Sequence, residues 1–211
     1  MKTRGFFAAL LILLAALHLC HARVLWTEED LPLAAARQIL FGKTLYSRLW
    51  FDKPPLVPLV YLLWGARIGV VLRLFGALYI WACCIVAYLF GRDAFGRAAG
   101  FWAAGLLAFF LSFDTPSAVL PLAADLLLVL PHLAALYLAY RKRALWSGIC
   151  AGIGFLTNVK AALVLAACAL FLWPSILPLA VGFSLPVIVA IAALIGTGAW
   201  SSYVDQVWTW P

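Results

Sequence analysis

Trp50-Phe51-Asp52-Lys53-Pro54-Pro55-Leu56 lies at the centre of residues 26–73, the one long stretch of this chain that is not simply apolar. The stretch holds Glu28, Glu29, Asp30, Arg37, Lys43, Arg48, Asp52, Lys53, Arg67 and Arg73, ten of the 23 charged residues. Most of the remaining sequence reads as hydrocarbon-facing helix, so the fold turns on how this polar segment meets the apolar ones. Charge beside hydrocarbon is costly, and charge gathered in one segment marks a candidate site by default. The expectation is a site on the extracytoplasmic membrane surface, held in place by the helices that follow.

Composition frames that reading. Of the 211 residues, 67% are hydrophobic and 11% charged, whereas a soluble domain is nearer half apolar and a quarter charged. The chain therefore reads as an all-α polytopic membrane protein, with a single membrane domain over residues 1–211. Its net charge of +7 would suggest nucleic acid in a soluble domain. Here it sets topology, and no nucleic-acid partner is expected. Cys20, Cys83, Cys84, Cys150 and Cys168 fall in apolar runs without metal-ligand spacing and read as small packing residues.

The N-terminus resembles a signal peptide, with Lys2 and Arg4 before an apolar run. Leu17-His18-Leu19-Cys20-His21-Ala22 makes a poor cleavage site, so residues 5–25 are expected as an uncleaved first transmembrane helix. Residues 26–72 form an outer loop with juxtamembrane helices. Thr27 and Asp30 suggest a capping box, and Gly42 is the expected stop of a short helix reaching Phe41. The twin prolines predict an extended approach to residues 56–66. That run is short for a crossing and is expected to lie in the interface.

Further crossings are expected within residues 73–199, at 73–90, 98–113, a segment ending at Tyr140, the pair 145–157 and 160–173, and 174–199. Asp114-Thr115-Pro116-Ser117 interrupts the series, which makes about seven crossings. Residues 200–211 form an aromatic interfacial tail. This topology puts Lys2/Arg4, Arg92/Arg97 and Arg141-Lys142-Arg143 in the cytoplasm, as the positive-inside rule requires. It puts Glu28, Lys53, Arg73, Asp125 and Lys160 together on the outer side of the plasma (inner) membrane.

Each candidate residue carries two readings. Glu28, Glu29 and Asp30 either cap a juxtamembrane helix or supply a carboxylate acting as general base or metal ligand. Lys53 either snorkels at the interface or contacts a phosphate, with Asp52 orienting it and Arg73 adding a second cation. Asp125 makes a structural hydrogen bond or lines the site, and Lys160 snorkels or lines it. His132 reads as a hydrogen-bonded core residue, and Trp102, Phe109, Phe110 and Phe113 as lipid-facing or packing residues.

Glu28-Glu29 with Ala36-Arg37, then Phe51-Asp52-Lys53-Pro54-Pro55-Leu56, then Leu72-Arg73-Leu74-Phe75-Gly76-Ala77-Leu78 resembles the polyprenyl-phosphate-sugar-dependent glycosyltransferases of the GT-C class. That class includes the protein mannosyltransferases and the aminoarabinose transferase that modifies lipid A. Tyr88-Leu89-Phe90-Gly91-Arg92-Asp93-Ala94-Phe95-Gly96-Arg97-Ala98-Ala99-Gly100, Asp125-Leu126-Leu127-Leu128, and Gly154-Phe155-Leu156-Thr157 with Lys160 also have counterparts there, so the resemblance runs over residues 26–173.

It implies an inverting transfer of a sugar from a polyprenyl-phosphate donor to an acceptor lipid, glycan or protein. The family's catalytic Asp, nine residues before Arg37, falls on Glu28, with Asp30 as the substitute carboxylate. The phosphate-contacting Lys falls on Lys53, its preceding acid on Asp52, and the second-loop acid on Asp125. Arg37, Arg73 and Lys160 complete the substrate contacts, with Trp50 and Trp64 beside the lipid tail. Mg or Mn, if used, would fall to Glu28 and Asp125. The family has more than ten crossings, so the chain reads as its N-terminal membrane module, truncated relative to the whole. The alternatives are a non-catalytic remnant or scaffold, or a small transporter that binds lipid phosphate without chemistry.

Overall fold

The computed structural model describes residues 3–113 and 119–209. Among these, ten α-helices and no strand are found. The predicted break at Asp114-Thr115-Pro116-Ser117 lies outside the described residues. Two segments are long and apolar enough to cross a membrane, Val70–Phe95 and Trp173–Gly196, the second opening on a 3-10 turn. The chain divides into two compact units, residues 1–29 with 67–122, and residues 30–66 with 123–211.

In the first unit, α1 (Thr3–Leu19) runs antiparallel to α4 (Val70–Phe95), and α5 (Arg97–Ser112) packs back on α4. The register is fixed at several levels. Trp81 Nε1 donates to the Phe7 carbonyl at 2.9 Å. The His18 ring lies where a side chain on Gly76 would have to go. Arg97 Nη2 donates to Thr3 Oγ1 at 3.3 Å, which gathers Arg4, Arg92 and Arg97 at one end of the unit.

The first helix ends at Leu19, short of the predicted reach to residue 25. Tight turns replace it, with His21 N–H on the His18 carbonyl and Ala22 N–H on that of Leu19. They bring the Val24 carbonyl to Arg73. Cys83 and Cys84 are both buried, because α4 is covered on one side by α1 and on the other by α5, while Cys20 is exposed. Trp102, Phe109, Phe110 and Phe113 all point outward.

The second unit contains most of α2 (Thr27–Leu40), α3 (Leu56–Leu62), α6 (Ala124–Tyr140), α7 (Ala144–Phe155), α8 (Ala161–Phe171), α9 (Ile176–Gly196) and α10 (Trp200–Val204). Gly42, at φ +80°, ends the polar helix where the sequence indicates. Pro55 has φ −70° and ψ −18°, so the expected extended approach stops before it and Pro55 itself caps α3. α7 and α9 approach so closely that a Cβ on Gly148 or Gly182 would overlap the facing backbone carbonyl. Gly148 and Gly152, four apart on α7, are the small-residue signature of such packing. Leu177, Ile188 and Val189 leave α9 with an exposed apolar face.

Candidate functional site

In the first unit, α2 begins one residue earlier than the Thr27–Asp30 capping box implies. The backbone N–H of Trp26 reaches Glu29 Oε2 at 3.4 Å, so Glu29 takes the inward position and Glu28 is left exposed. Glu29 is 0% and Arg73 1% exposed. Arg73 Nη1 donates to Glu29 Oε1 at 3.0 Å, Nη2 donates to Oε2, and Nη2 also reaches the Val24 carbonyl at 3.2 Å. The Arg73 guanidinium lies 4.3 Å over the Trp26 ring, and Leu122 N–H donates to Glu29 Oε1 at 2.9 Å. The bidentate fork, with further hydrogen bonds to Val24 and from Leu122, is the geometry that makes a buried ion pair tolerable, while Arg73 Nε is buried with no hydrogen-bond partner among the described residues. The sequence reading offered Arg73 as a second cation for substrate phosphate. Its guanidinium is held instead by Glu29, Val24 and Trp26.

In the second unit, the backbone N–H of Leu56 donates to the Leu156 carbonyl at 2.9 Å. One hydrogen bond thus joins the Asp52-Lys53-Pro54-Pro55 segment to the turn between α7 and α8. On that turn Asn158 Oδ1 accepts from Lys160 N–H at 3.1 Å. Asn158 Nδ2 and Lys160 Nζ both donate to Asp125 Oδ1, at 3.0 and 2.9 Å. Asp125 stands in the first turn of α6, where the helix dipole favours a carboxylate. The Lys160 and Asp125 side chains are 62% and 66% exposed. Lys53 Nζ pairs with Asp52 Oδ2 at 3.2 Å, and Asp52 Oδ1 is buried with no hydrogen-bond partner among the described residues.

The loop presenting Lys53 is clamped from the C-terminal side. Gln206 Oε1 accepts from Phe51 N–H at 2.9 Å, and Gln206 Nε2 donates to the Tyr46 carbonyl at 2.8 Å. Tyr46 is buried in a left-handed conformation, φ 65°. Its hydroxyl donates to the Lys53 carbonyl at 2.7 Å, and its ring meets that of Tyr203 edge-on. Burial pushes the Tyr46 phenol well above its ordinary value, with Tyr203 and Asp52 adding to the shift. Beside this loop an apolar cavity of about 180 Å³ is lined by Pro55, Phe155, Val187, Ile191, Leu194 and Trp208.

Sequence reasoning thus named Asp52, Lys53, Asp125 and Lys160; the structure pairs Lys53 with Asp52 and Lys160 with Asp125, and the Leu56–Leu156 hydrogen bond links the two segments that carry them. Arg37 Nε reaches the Ala66 carbonyl at 3.3 Å and ties α2 to the turn after α3. Asp30 and Trp50 are exposed, while Trp64 is buried against Tyr61. His132 Nε2, expected to be hydrogen-bonded, is buried with no partner among the described residues. Asn158 and Gln206 were missed, and Glu29, weighed with Glu28 and Asp30 as a cap or a catalytic carboxylate, was not foreseen as the partner of Arg73. Glu29 had a signal, being the acid one turn into α2, whereas a single Gln in an aromatic tail has none.

Among the described residues no three His, Cys, Asp or Glu side chains gather as a metal-ligand set. No protein-family model, no curated protein and no solved structure matches this chain.

Proposed function

We propose that this chain is a GT-C-type membrane glycosyltransferase that moves a sugar from a polyprenyl-phosphate donor to an acceptor outside the cytoplasm. About seven crossings of the inner membrane are part of the proposal. α4 and the Trp173–Gly196 segment have the length and composition for it. The shorter apolar helices α1, α5, α6, α7 and α8 complete the set. The observation that carries the reading is the polar end of the second unit. There, two exposed ammonium groups have weak carboxylate partners, and Pro55 and Leu156, a few residues from Lys53 and Lys160 in sequence, line an apolar cavity that would take part of an isoprenoid chain.

Lys53 and Lys160 exchange their carboxylates for the donor phosphate and stabilise the charge that develops as the sugar leaves. The bond between the sugar's anomeric carbon and the phosphate oxygen breaks with its electron pair on phosphate. The acceptor oxygen forms the new bond from the opposite face and loses its proton to a carboxylate. The family resemblance assigns that base to Glu28, with Asp30 two residues on as the alternative; both are exposed.

A second reading, binding of a lipid phosphate without chemistry by a remnant, scaffold or transporter, is favoured by the burial of Arg73 against Glu29. Transfer of labelled sugar from a polyprenyl-phosphate donor by purified Lys53→Ala and Glu28→Gln separates the two. The proposal expects both variants to insert normally and lose transfer. Unchanged turnover in either removes the role assigned to it, and donor binding without transfer by the unmodified chain supports the second reading.

A further inference from the structure

At the other end of the first unit, a cavity of about 530 Å³ opens along the seam of α1 and α4, within the roughly 300–1,000 Å³ range of small-molecule sites. Its walls are apolar, formed by Phe7, Leu11, Trp81, Ile85, Tyr88 and Leu89, and Arg4 and Arg92 close one end. Trp81 Nε1, the deep donor, is already committed to the Phe7 carbonyl, so the inner part of the groove offers a ligand only hydrocarbon contact. The mouth is cationic. Arg92 pairs with Asp93 and lies over the Tyr88 ring, Arg97 sits against Thr3, and Arg4 is exposed. Among the described residues, Arg4, Arg92 and Arg97 outnumber the Asp93 carboxylate at this end and leave it net positive.

The groove also has a telling length. From Arg92 to Trp81 along α4 is about 16 Å at 1.5 Å per residue, which matches one leaflet of a hydrocarbon core about 30 Å thick. An apolar channel one leaflet long with arginines at its mouth complements one amphiphile: an acyl chain carrying a phosphate head group.

We infer that this groove is a binding site for a single anionic phospholipid of the cytoplasmic leaflet, with an acyl chain against Phe7, Trp81 and Ile85 and its phosphate on Arg4 and Arg92. The site belongs to the first unit alone. It shares with the proposed transferase only the placement in a bilayer, and its test uses no sugar donor, so either can fail without the other.

The test is native mass spectrometry of the full chain, extracted in detergent and offered phosphatidylglycerol or phosphatidylcholine of the same acyl composition. One lipid per chain is expected to be retained, with phosphatidylglycerol preferred roughly tenfold, because both lipids carry the phosphate but the choline cation of phosphatidylcholine is repelled by the arginines at the mouth. Arg4→Gln/Arg92→Gln should erase the preference. Ala8→Trp, which fills the groove and leaves the arginines untouched, should expel the lipid while the circular dichroism stays helical. Equal retention of the two lipids, or phosphatidylglycerol held undiminished in either variant, would overturn the inference.

Discussion

Glu29–Arg73 and Asp125–Lys160 are the same chemistry in opposite surroundings. In the first unit the carboxylate and guanidinium are sealed from solvent, forked together and capped by a ring, a carbonyl and a backbone N–H. In the second, the ammonium and carboxylate stand more than half exposed and meet at one oxygen. A sealed pair cannot trade partners without unpairing a buried charge. An open pair contributes little to stability, and its cation can pass to a ligand at small cost. The difference separates a structural clamp from a candidate phosphate contact, which residue type alone does not do.

The largest effect should come from breaking the sealed pair. Glu29→Gln leaves Arg73 buried and uncompensated and should lower unfolding stability by about 3–5 kcal/mol, read by thermal unfolding in detergent. Replacing both partners with apolar residues, Glu29→Leu/Arg73→Met, should recover most of that loss. Failure to recover would give the pair a role beyond packing.

Next comes Gln206→Ala, which strips two hydrogen bonds from the loop presenting Lys53. It should cost about 1–3 kcal/mol and make the peptide bonds around Phe51 open to protease. A loop as resistant as before would remove the clamp from the account.

Asp125→Asn and Lys160→Gln should each change stability by less than about 1 kcal/mol. Lys160→Gln should nonetheless weaken binding of a polyprenyl phosphate, measured by titration, and equal affinity would take Lys160 out of the site. The smallest effect is with pH. The Tyr46 phenol is raised in the folded chain, so its burial favours folding fully below the ordinary tyrosine value of about 10. That contribution is lost as pH climbs beyond it. Thermal stability should fall above about pH 10, and Tyr46→Phe should flatten the slope.

Much of the helix order could be read from apolar runs and their punctuation. Gly42 and the Arg141-Lys142-Arg143 turn stand at helix ends as their chemistry suggests. Where the reading slipped, the cause was a contact distant in sequence. The first helix stops at Leu19 to deliver the Val24 carbonyl to Arg73, 49 residues on, and no local pattern encodes that. The capping register moved by one residue because Glu29 has a buried partner 44 residues away.

In the site, Asp125 and Lys160 stood out because charge interrupts apolar sequence there. Asn158, which hydrogen-bonds to both, is an uncharged residue between two apolar runs and carries no such signal. The close contact of α7 and α9 was written in Gly148 and Gly152 but is meaningful only once a facing helix with Gly182 is known.

The most direct measurement is release of sugar from a polyprenyl-phosphate-linked donor by the purified chain, followed over time with a hydroxyl acceptor and compared with Lys53→Ala. The account predicts transfer to the acceptor by the unmodified protein and none by the variant. Absence of transfer by the unmodified chain while it binds the donor, or transfer that Lys53→Ala leaves undiminished, would contradict it.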